Sequence, residues 1–156
     1  MREAVSFSVN GSPVEVEVED DETLLYILRN HLGLRGTRFG CGMEQCGACM
    51  VLIDGAPAFS CARLVTTLEG ASVVTVEGLA RGDEGLHPLQ EAFLAEQAGQ
   101  CGYCLSGILI SASALLTRTP SPARAEIIEA LDMHLCRCGA MNRIVRAVQR
   151  AAGTIR

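Results

Sequence analysis

The sequence predicts an α+β protein made of two small domains, a strand-rich domain over residues 1–78 and a helical domain over residues 79–156. Apolar and polar residues alternate along the first part of the chain, a pattern typical of strands with one buried face. After Gly78 this alternation stops, and apolar residues recur at helical spacing instead. The domain boundary is therefore expected between residues 78 and 85.

The first predicted element is a β-hairpin. Valine and phenylalanine occupy alternate positions over residues 5–9, and valine alternates with glutamate over residues 14–19. Asn10 and Gly11 lie between the two runs, and this residue pair is favoured in tight hairpin turns because both residues tolerate positive φ. Each strand is thus expected to present one apolar face.

A short helix and two further strands complete the predicted first domain. The helix starts after Asp21-Glu22-Thr23, continues with apolar residues at helical spacing as far as Leu32, and ends at Gly33. Two short strands are predicted at residues 50–53 and 72–76, separated by a turn at Asp54-Gly55.

The second domain is predicted to be a bundle of four short helices. Helical periodicity covers residues 89–98, 104–116, 121–133 and 142–151. Ser121-Pro122 is expected to open the third helix, because proline is favoured in the first turn. The longest apolar run, residues 105–116, is shorter than the roughly 20 residues that a membrane span needs, so no transmembrane segment is predicted.

Composition excludes several classes of function. The 156-residue chain has a net charge of -5, 4% aromatic residues and no tryptophan, which argues against nucleic-acid binding. Every basic residue is arginine, so Schiff-base and P-loop chemistry, which use lysine, are excluded. The N-terminus lacks the apolar stretch of a secretion signal, and we therefore expect a cytoplasmic, reducing environment.

The first four of the eight cysteines have the spacing of a plant-type ferredoxin loop. Cys41, Cys46 and Cys49 form the pattern C-x4-C-x2-C, and Cys61 supplies a distant fourth thiolate, an arrangement that binds a [2Fe-2S] cluster. A loop that wraps a cluster closely needs conformational freedom. The glycines expected to supply it are Gly36, Gly40, Gly42 and Gly47.

The other four cysteines form two close pairs, Cys101 with Cys104 and Cys136 with Cys138. Four thiolates in two pairs suit a second [2Fe-2S] cluster or a structural zinc ion, and spacing alone leaves both interpretations open. Disulfides are disfavoured because the chain shows no secretion signal. The three histidines, His31, His87 and His134, are dispersed and are expected at the surface or at helix caps.

Three cysteine motifs occur in a fixed order along the chain. They are Cys41-Gly42-x3-Cys46-Gly47-x-Cys49, Gln100-Cys101-Gly102-Tyr103-Cys104 and Leu135-Cys136-Arg137-Cys138. Together they resemble the small iron–sulfur subunit of xanthine oxidase-type molybdenum hydroxylases, at all eight cysteine positions and over nearly the whole chain. The segment Cys136-Arg137-Cys138-Gly139, followed by an arginine-rich helix, is more similar to the isoquinoline and nicotinate dehydrogenase branch than to the xanthine dehydrogenase branch.

The resemblance implies a β-grasp, plant-type ferredoxin-like N-terminal domain followed by a four-helix bundle, each with one [2Fe-2S] cluster. The implied metal ligands are Cys41, Cys46, Cys49, Cys61, Cys101, Cys104, Cys136 and Cys138. Gln100 and Cys138 are implied to lie beside the molybdopterin, which a large partner subunit holds and which we expect in its cytosine dinucleotide form.

By the same resemblance, the chain relays electrons from the molybdopterin centre to an FAD subunit or a cytochrome c-type acceptor while an N-heterocycle or aldehyde is hydroxylated. The site that transforms the substrate is then expected on the partner chain. The alternative is a free-standing one-cluster ferredoxin whose helical part is a zinc-stabilised binding module. The acidic first domain is expected to face the acceptor, and the arginine-rich helical domain is expected to face the molybdenum subunit.

Overall fold

The computed structural model describes residues 2–80 and 82–154; Met1, Arg81, Ile155 and Arg156 lie outside it. The strands are β1 (Arg2–Val9), β2 (Ser12–Glu19), β3 (Met50–Ile53), β4 (Ala56–Phe59) and β5 (Ser72–Val74). The helices are α1 (Leu24–Tyr26, continued by a π-helical turn, Ile27–His31), α2 (Pro88–Ala95), α3 (Leu105–Arg118), α4 (Arg124–Leu131) and α5 (Met141–Ala151). A sheet followed by a helical region confirms the predicted α+β class.

The predicted hairpin is confirmed. β1 and β2 pair antiparallel with Val5 opposite Val16, and both of these side chains are buried. Asn10 and Gly11 have φ values of 52° and 81°, which are the positive angles that a tight two-residue turn requires.

The five strands lie in the order β2-β1-β5-β3-β4. β1 and β5 pair parallel, whereas the other neighbours pair antiparallel. Strand β4 was not predicted, and the Asp54-Gly55 turn joins β3 to β4 rather than leading towards β5. The prediction missed β4 because it contains Pro57 and no β-branched residue; proline is tolerated there because β4 is an edge strand.

The predicted first helix is confirmed, although it is only partly α-helical. The side-chain oxygen of Thr23 accepts a hydrogen bond from the backbone N–H of Tyr26, which caps the start of α1. Leu24, Ile27 and Leu28 are fully buried in a core that they share with the hairpin valines.

The four helices of the second region are confirmed, although α2 ends at Ala95 instead of at residue 98 and α4 is shorter than predicted at both ends. α4 begins at Arg124 instead of at Ser121-Pro122, because the N–H of Ala123 donates to the Glu126 carboxylate at 2.7 Å and closes the N-terminus there. α2 and α5 are joined at the surface by Glu96, which pairs with Arg146 at 3.4 Å and with Arg150 at 3.1 Å.

The sheet is covered on both faces. Successive residues of β3 point to opposite faces, so that Val51 lies in the core with α1 while Met50 lies in the core of the helical region. α3 packs against β3 from that second side, and its residues Ile108, Ile110 and Leu116 are almost completely buried. This contact fixes the position of the cysteine at the start of α3 relative to the sheet.

Candidate metal centres

The first cysteine pair lies in the glycine-rich loop before β3. The backbone N–H groups of Met43 and Gln45 donate to the sulfur of Cys41 at 3.4 and 3.2 Å, and the N–H of Cys41 donates to the sulfur of Cys46 at 3.4 Å. These donors stabilise the thiolate and lower the pKa of Cys41 to about 7. The loop therefore surrounds these sulfurs with hydrogen-bond donors.

Cys49 and Cys61 form the second pair of this group. The neighbouring Ser60 brings them together, because its hydroxyl donates to the carbonyl oxygen of Cys49 at 2.6 Å and its N–H donates to the same oxygen at 3.3 Å. Burial raises the pKa of Cys61 to about 11, and the nearby Cys49 and Cys41 act in the same direction. All four sulfurs of the first group are thus close enough to interact.

Gly42, with a φ of 69°, and Gly47 have the backbone freedom predicted for this loop, whereas Gly40 is required by close packing. A Cβ atom at Gly40 would lie 2.5 Å from the sulfur of Cys46, so a side chain at this position would displace the sulfur. Gly47 has a φ of 76° and packs against the imidazole of His134, which leaves no space for a side chain.

The second cysteine group also consists of two pairs. The sulfurs of Cys101 and Cys138 are 3.5 Å apart, and the thiols of Cys104 and Cys136 share a hydrogen bond. A hydrogen bond from the backbone N–H of Tyr103 lowers the pKa of Cys101, whereas burial raises the pKa of Cys104 to about 12. The members of each pair come from different segments, namely the turn before α3 and the turn before α5.

The donor sets fit two binuclear iron–sulfur clusters. In a [2Fe-2S] cluster four thiolates coordinate two irons, two thiolates to each iron. Both cysteine groups present their four sulfurs as two separate pairs, which suits this coordination. The pairs are Cys41 with Cys46, Cys49 with Cys61, Cys101 with Cys138, and Cys104 with Cys136. Across residues 2–80 and 82–154, no three metal-binding side chains converge on a point suited to a single ion.

The fold brings the two groups together around one cavity of about 210 Å³. Two contacts join the groups across it: the N–H of Leu135 donates to the carbonyl oxygen of Cys46 at 3.0 Å, and the hydroxyl of Tyr103 donates to the carbonyl oxygen of Phe39. The cysteines that line the cavity are Cys41, Cys46, Cys101, Cys104, Cys136 and Cys138.

Gln100 and Cys138, which the resemblance placed together, are in contact. The side-chain amide of Gln100 donates to the carbonyl oxygen of Cys138 at 3.2 Å. Gln100 also lines an open, mostly apolar groove of about 500 Å³ between α2 and the start of α3, with Leu86, Phe93 and Leu94 among its other lining residues. Leu94 is 68% exposed at the edge of this groove.

The expectation for the histidines was right for His87 and wrong for His134. The ring nitrogen of His87 accepts from the N–H of Leu89 at 3.2 Å and caps α2, as predicted. His134 is instead buried, and its Nε2 lies 2.7 Å from the hydroxyl of Ser111. Burial lowers the pKa of His134 to about 4, so the ring is neutral near pH 7.

The sequence contains a signal for the burial of His134. Ile127, Leu131 and His134 recur at helical spacing, and the first two are fully buried on the inner face of α4. His134 continues that face into the turn that leads to Cys136, and there it contacts the loop of the first cysteine group.

Comparison with known proteins agrees with this arrangement. A family described as "2Fe-2S iron-sulfur cluster binding domain" matches residues 7–76, and one described as "[2Fe-2S] binding domain" matches residues 75–149. The second match favours a cluster over zinc in the helical region. In the part of the chain that the structure describes, no helix is long and apolar enough to cross a membrane.

Individual relatives are similar over almost their full length. The chain is 48% identical to a nicotinate dehydrogenase subunit from Pseudomonas putida, over 100% of this chain and 99% of the relative. It is 50% identical to the alpha subunit of isoquinoline 1-oxidoreductase from Brevundimonas diminuta, over 95% and 97%. A chain of quinoline 2-oxidoreductase from Pseudomonas putida 86 superposes with a TM-score of 0.93 at 40% identity, over 97% and 94%.

A longer protein contains the same unit. The aldehyde oxidoreductase from Desulfovibrio desulfuricans superposes with a TM-score of 0.93 at 37% identity, over 98% of this chain but 17% of that one. The fold described above is thus found both as a separate chain and within a larger polypeptide.

Proposed function

This chain belongs to the family of small [2Fe-2S] subunits of xanthine oxidase-type molybdenum hydroxylases, and from that membership we propose the roles of its individual residues. It is the electron-transfer subunit of an oxidoreductase complex, and the catalytic site lies on the molybdenum subunit. We assign the eight cysteines as ligands of two [2Fe-2S] clusters. The observation that carries this assignment is that each group presents its sulfurs as two pairs, with six of the eight cysteines lining one shared cavity.

The surroundings of each group suit electron transfer. When bound, a [2Fe-2S] cluster accepts and releases one electron at a time, so two clusters in series match a donor that delivers two electrons. Hydrogen bonds to the sulfurs and exclusion of water set the reduction potential of such a centre. Met43 and Gln45 supply N–H donors at the half-buried Cys41, whereas Cys49 and Cys104 are buried.

Gln100 and Cys138 are proposed to face the molybdopterin of the large subunit, which we expect in its cytosine dinucleotide form. Gln100 is exposed and Cys138 is half-buried, so a partner can reach both residues. The apolar groove beside Gln100 provides a surface for this partner, with Leu94 at its edge. The substrate is proposed to be an N-heterocycle or an aldehyde, as the names of the relatives suggest.

The external acceptor is proposed to approach the first cysteine group. Phe39 and Met43 flank Cys41 and are 58% and 61% exposed, which leaves this side of the loop open. The proposed acceptor is either an FAD subunit or a cytochrome c-type protein. The complex is proposed to be cytoplasmic.

The arginine-rich helical domain is proposed to face the molybdenum subunit, and the arginines of α5 also make contacts within the chain. Arg146 and Arg150 already pair with Glu96, and Arg143 donates to the carbonyl oxygen of Gln97 at 3.5 Å. These side chains therefore join α5 to α2 within the chain.

Metal analysis combined with EPR tests the ligand assignment. The dithionite-reduced chain is expected to contain four irons and four sulfides and to give two distinct [2Fe-2S] signals. Cys49→Ala should remove one signal and half of the iron, and Cys104→Ala should remove the other signal, so each variant is the matched control for the other. One signal together with one equivalent of zinc would support the ferredoxin-plus-zinc alternative instead.

The docking surface is tested separately by assembly. Leu94→Arg is expected to prevent co-purification with the large subunit while leaving both EPR signals unchanged. Ile128→Arg places the same charge on an exposed apolar position of α4, 48% exposed, and should not affect assembly. Equal behaviour of the two variants would contradict the proposed groove.

A further inference from the structure

We propose that Tyr103 and Arg38 form a clasp that holds the two cysteine groups in electronic contact. This inference rests on the proposed function, because it assumes that each group holds a cluster. Both residues are positioning residues: neither side chain ligates iron, and their role is to fix the distance and the contact between the two loops. The clasp is the set of contacts that Tyr103 and Arg38 make across the cavity between the groups.

Tyr103 links the second group to the loop of the first. It lies between the ligands Cys101 and Cys104, and its own backbone N–H points at the sulfur of Cys101. Its hydroxyl crosses to the first loop and donates to the carbonyl oxygen of Phe39, two residues before Cys41. One side chain thus reaches from a turn that holds two sulfurs of the second group to the start of the first loop.

Arg38 also contacts the ring of Tyr103. Its guanidinium lies 5.1 Å from the centre of the Tyr103 ring, a distance at which a cation–π attraction operates. The backbone N–H of Arg38 donates to the carbonyl oxygen of Ala48 at 3.1 Å, so Arg38 is anchored next to Cys49. Arg38 therefore joins the ring of Tyr103 to both ends of the first cysteine loop.

The clasp lies beside a backbone hydrogen bond that connects the two cysteine groups. The N–H of Leu135 donates to the carbonyl oxygen of Cys46 at 3.0 Å, and Leu135 is bonded directly to Cys136. A route from the sulfur of Cys136 to the sulfur of Cys46 consequently runs through covalent bonds and one hydrogen bond. With a cluster bound at each group, this route would connect a ligand of one cluster to a ligand of the other, and passage of one electron along it would require no proton transfer and no broken bond.

The hydrogen bond between Leu135 and Cys46 needs stabilising contacts nearby because the side chains of Leu135 and Tyr103 lie at the surface. The side chain of Leu135 is 68% exposed and that of Tyr103 is 48% exposed, so few apolar contacts hold this edge of the cavity closed. A hydrogen bond and a cation–π contact are worth about 1 kcal/mol each in such a setting. Loss of either contact should let the Leu135–Cys46 hydrogen bond open more often.

The test compares Tyr103→Phe with Tyr26→Phe in the cluster-loaded full chain. Tyr103→Phe keeps the ring and removes the hydroxyl that reaches Phe39. Tyr26→Phe removes the hydroxyl of the other tyrosine, whose ring packs against His31 in the first domain. Arg38→Met and Arg38→Lys form a second pair, in which lysine retains the positive charge over the ring.

Three readouts are expected to change together. Hydrogen exchange of the peptide that contains the Leu135 amide should be faster by about fivefold in Tyr103→Phe, the factor that corresponds to one hydrogen bond of roughly 1 kcal/mol. In the fully reduced protein the magnetic interaction between the two EPR signals should be weaker. Electron transfer from the second cluster to the first should be slower, while iron content stays unchanged.

The outcomes separate this inference from the proposed function. If wild type shows two interacting EPR signals and Tyr103→Phe and Arg38→Met leave exchange, interaction and rate as in Tyr26→Phe, the clasp is refuted and the cluster assignment stands. If wild type shows a single signal, the cluster assignment itself is wrong. A loss in Arg38→Met that Arg38→Lys restores supports the cation–π part of the clasp.

Discussion

Gly107 is the position where one added methyl group most directly tests how α3 packs on the first cysteine loop. A Cβ atom at Gly107 would lie closer than 3.0 Å to the carbonyl oxygen of Gly47 and 3.3 Å from the imidazole of His134. The nearest obstacle is backbone, which cannot rotate away as a flexible side chain does. Either α3 or the cysteine loop must shift until the oxygen returns to about 3.4 Å, where ordinary contact begins.

The magnitude follows from two opposing effects. Overpacking a tightly filled site costs about 1–3 kcal/mol, and the upper end applies because backbone is in the way. Replacing glycine by alanine inside a helix contributes about 1 kcal/mol in the opposite direction. We expect Gly107→Ala to lower the free energy of unfolding by about 2 kcal/mol, which corresponds to about 4–8 °C in Tm for a chain of this size.

Thermal unfolding followed by circular dichroism measures this effect. Thr117→Ala is the matched control, because it raises helix propensity at an exposed position of α3 and should change Tm by less than about 2 °C. A Gly107→Ala protein as stable as this control would refute the close packing of α3 on the Gly47 carbonyl.

Three further predictions concern single contacts. Ser111→Ala removes the hydroxyl that lies 2.7 Å from Nε2 of the buried His134, and it should lower the free energy of unfolding in urea by about 1–3 kcal/mol. Ser113→Ala is the control and should cost clearly less, because the Ser113 hydroxyl donates to the Ile110 carbonyl oxygen of its own helix. Equal losses in the two variants would argue against the His134 contact. Glu96→Gln weakens two ion pairs whose arginine side chains are more than half exposed, so it should cost less than about 1 kcal/mol, and the difference from wild type should disappear at high salt. A large, salt-independent loss would contradict this assignment. Arg137→Ala removes a positive charge beside the second cysteine group and should therefore lower the reduction potential of the cluster proposed there. A redox titration followed by EPR measures this potential, and an unchanged or raised value would show that the Arg137 charge does not act on the cluster.

The cysteine motifs allowed both cluster sites to be predicted because the ligands of each site are close in sequence or belong to a recurring pattern. The hairpin was equally accessible, since alternation of Val5, Phe7 and Val9 and the turn at Asn10-Gly11 are local properties. Strand β4 escaped prediction because Pro57 lowers the local strand signal, and only pairing with β3 reveals it.

The charge pattern of the last helix shows a different limit of sequence reasoning. A run of arginines at helical spacing indicates a charged face, but it does not say which partner that face meets. The fold places Glu96, at the end of α2, next to Arg146 and Arg150, so this face makes contacts within the chain while both arginines stay more than half exposed.

The sequence by itself determined which chemistry this chain can support, because it supplies eight cysteines at fixed spacings in a strand-rich part and a helical part. Tertiary structure alone decided that Cys101 pairs with Cys138 and that His134 lies against Gly47 of the first loop. It also decided that Leu135 donates to Cys46 and joins the two groups. These contacts connect residues far apart in the chain, and they depend on how α3 packs against β3, which no local pattern encodes.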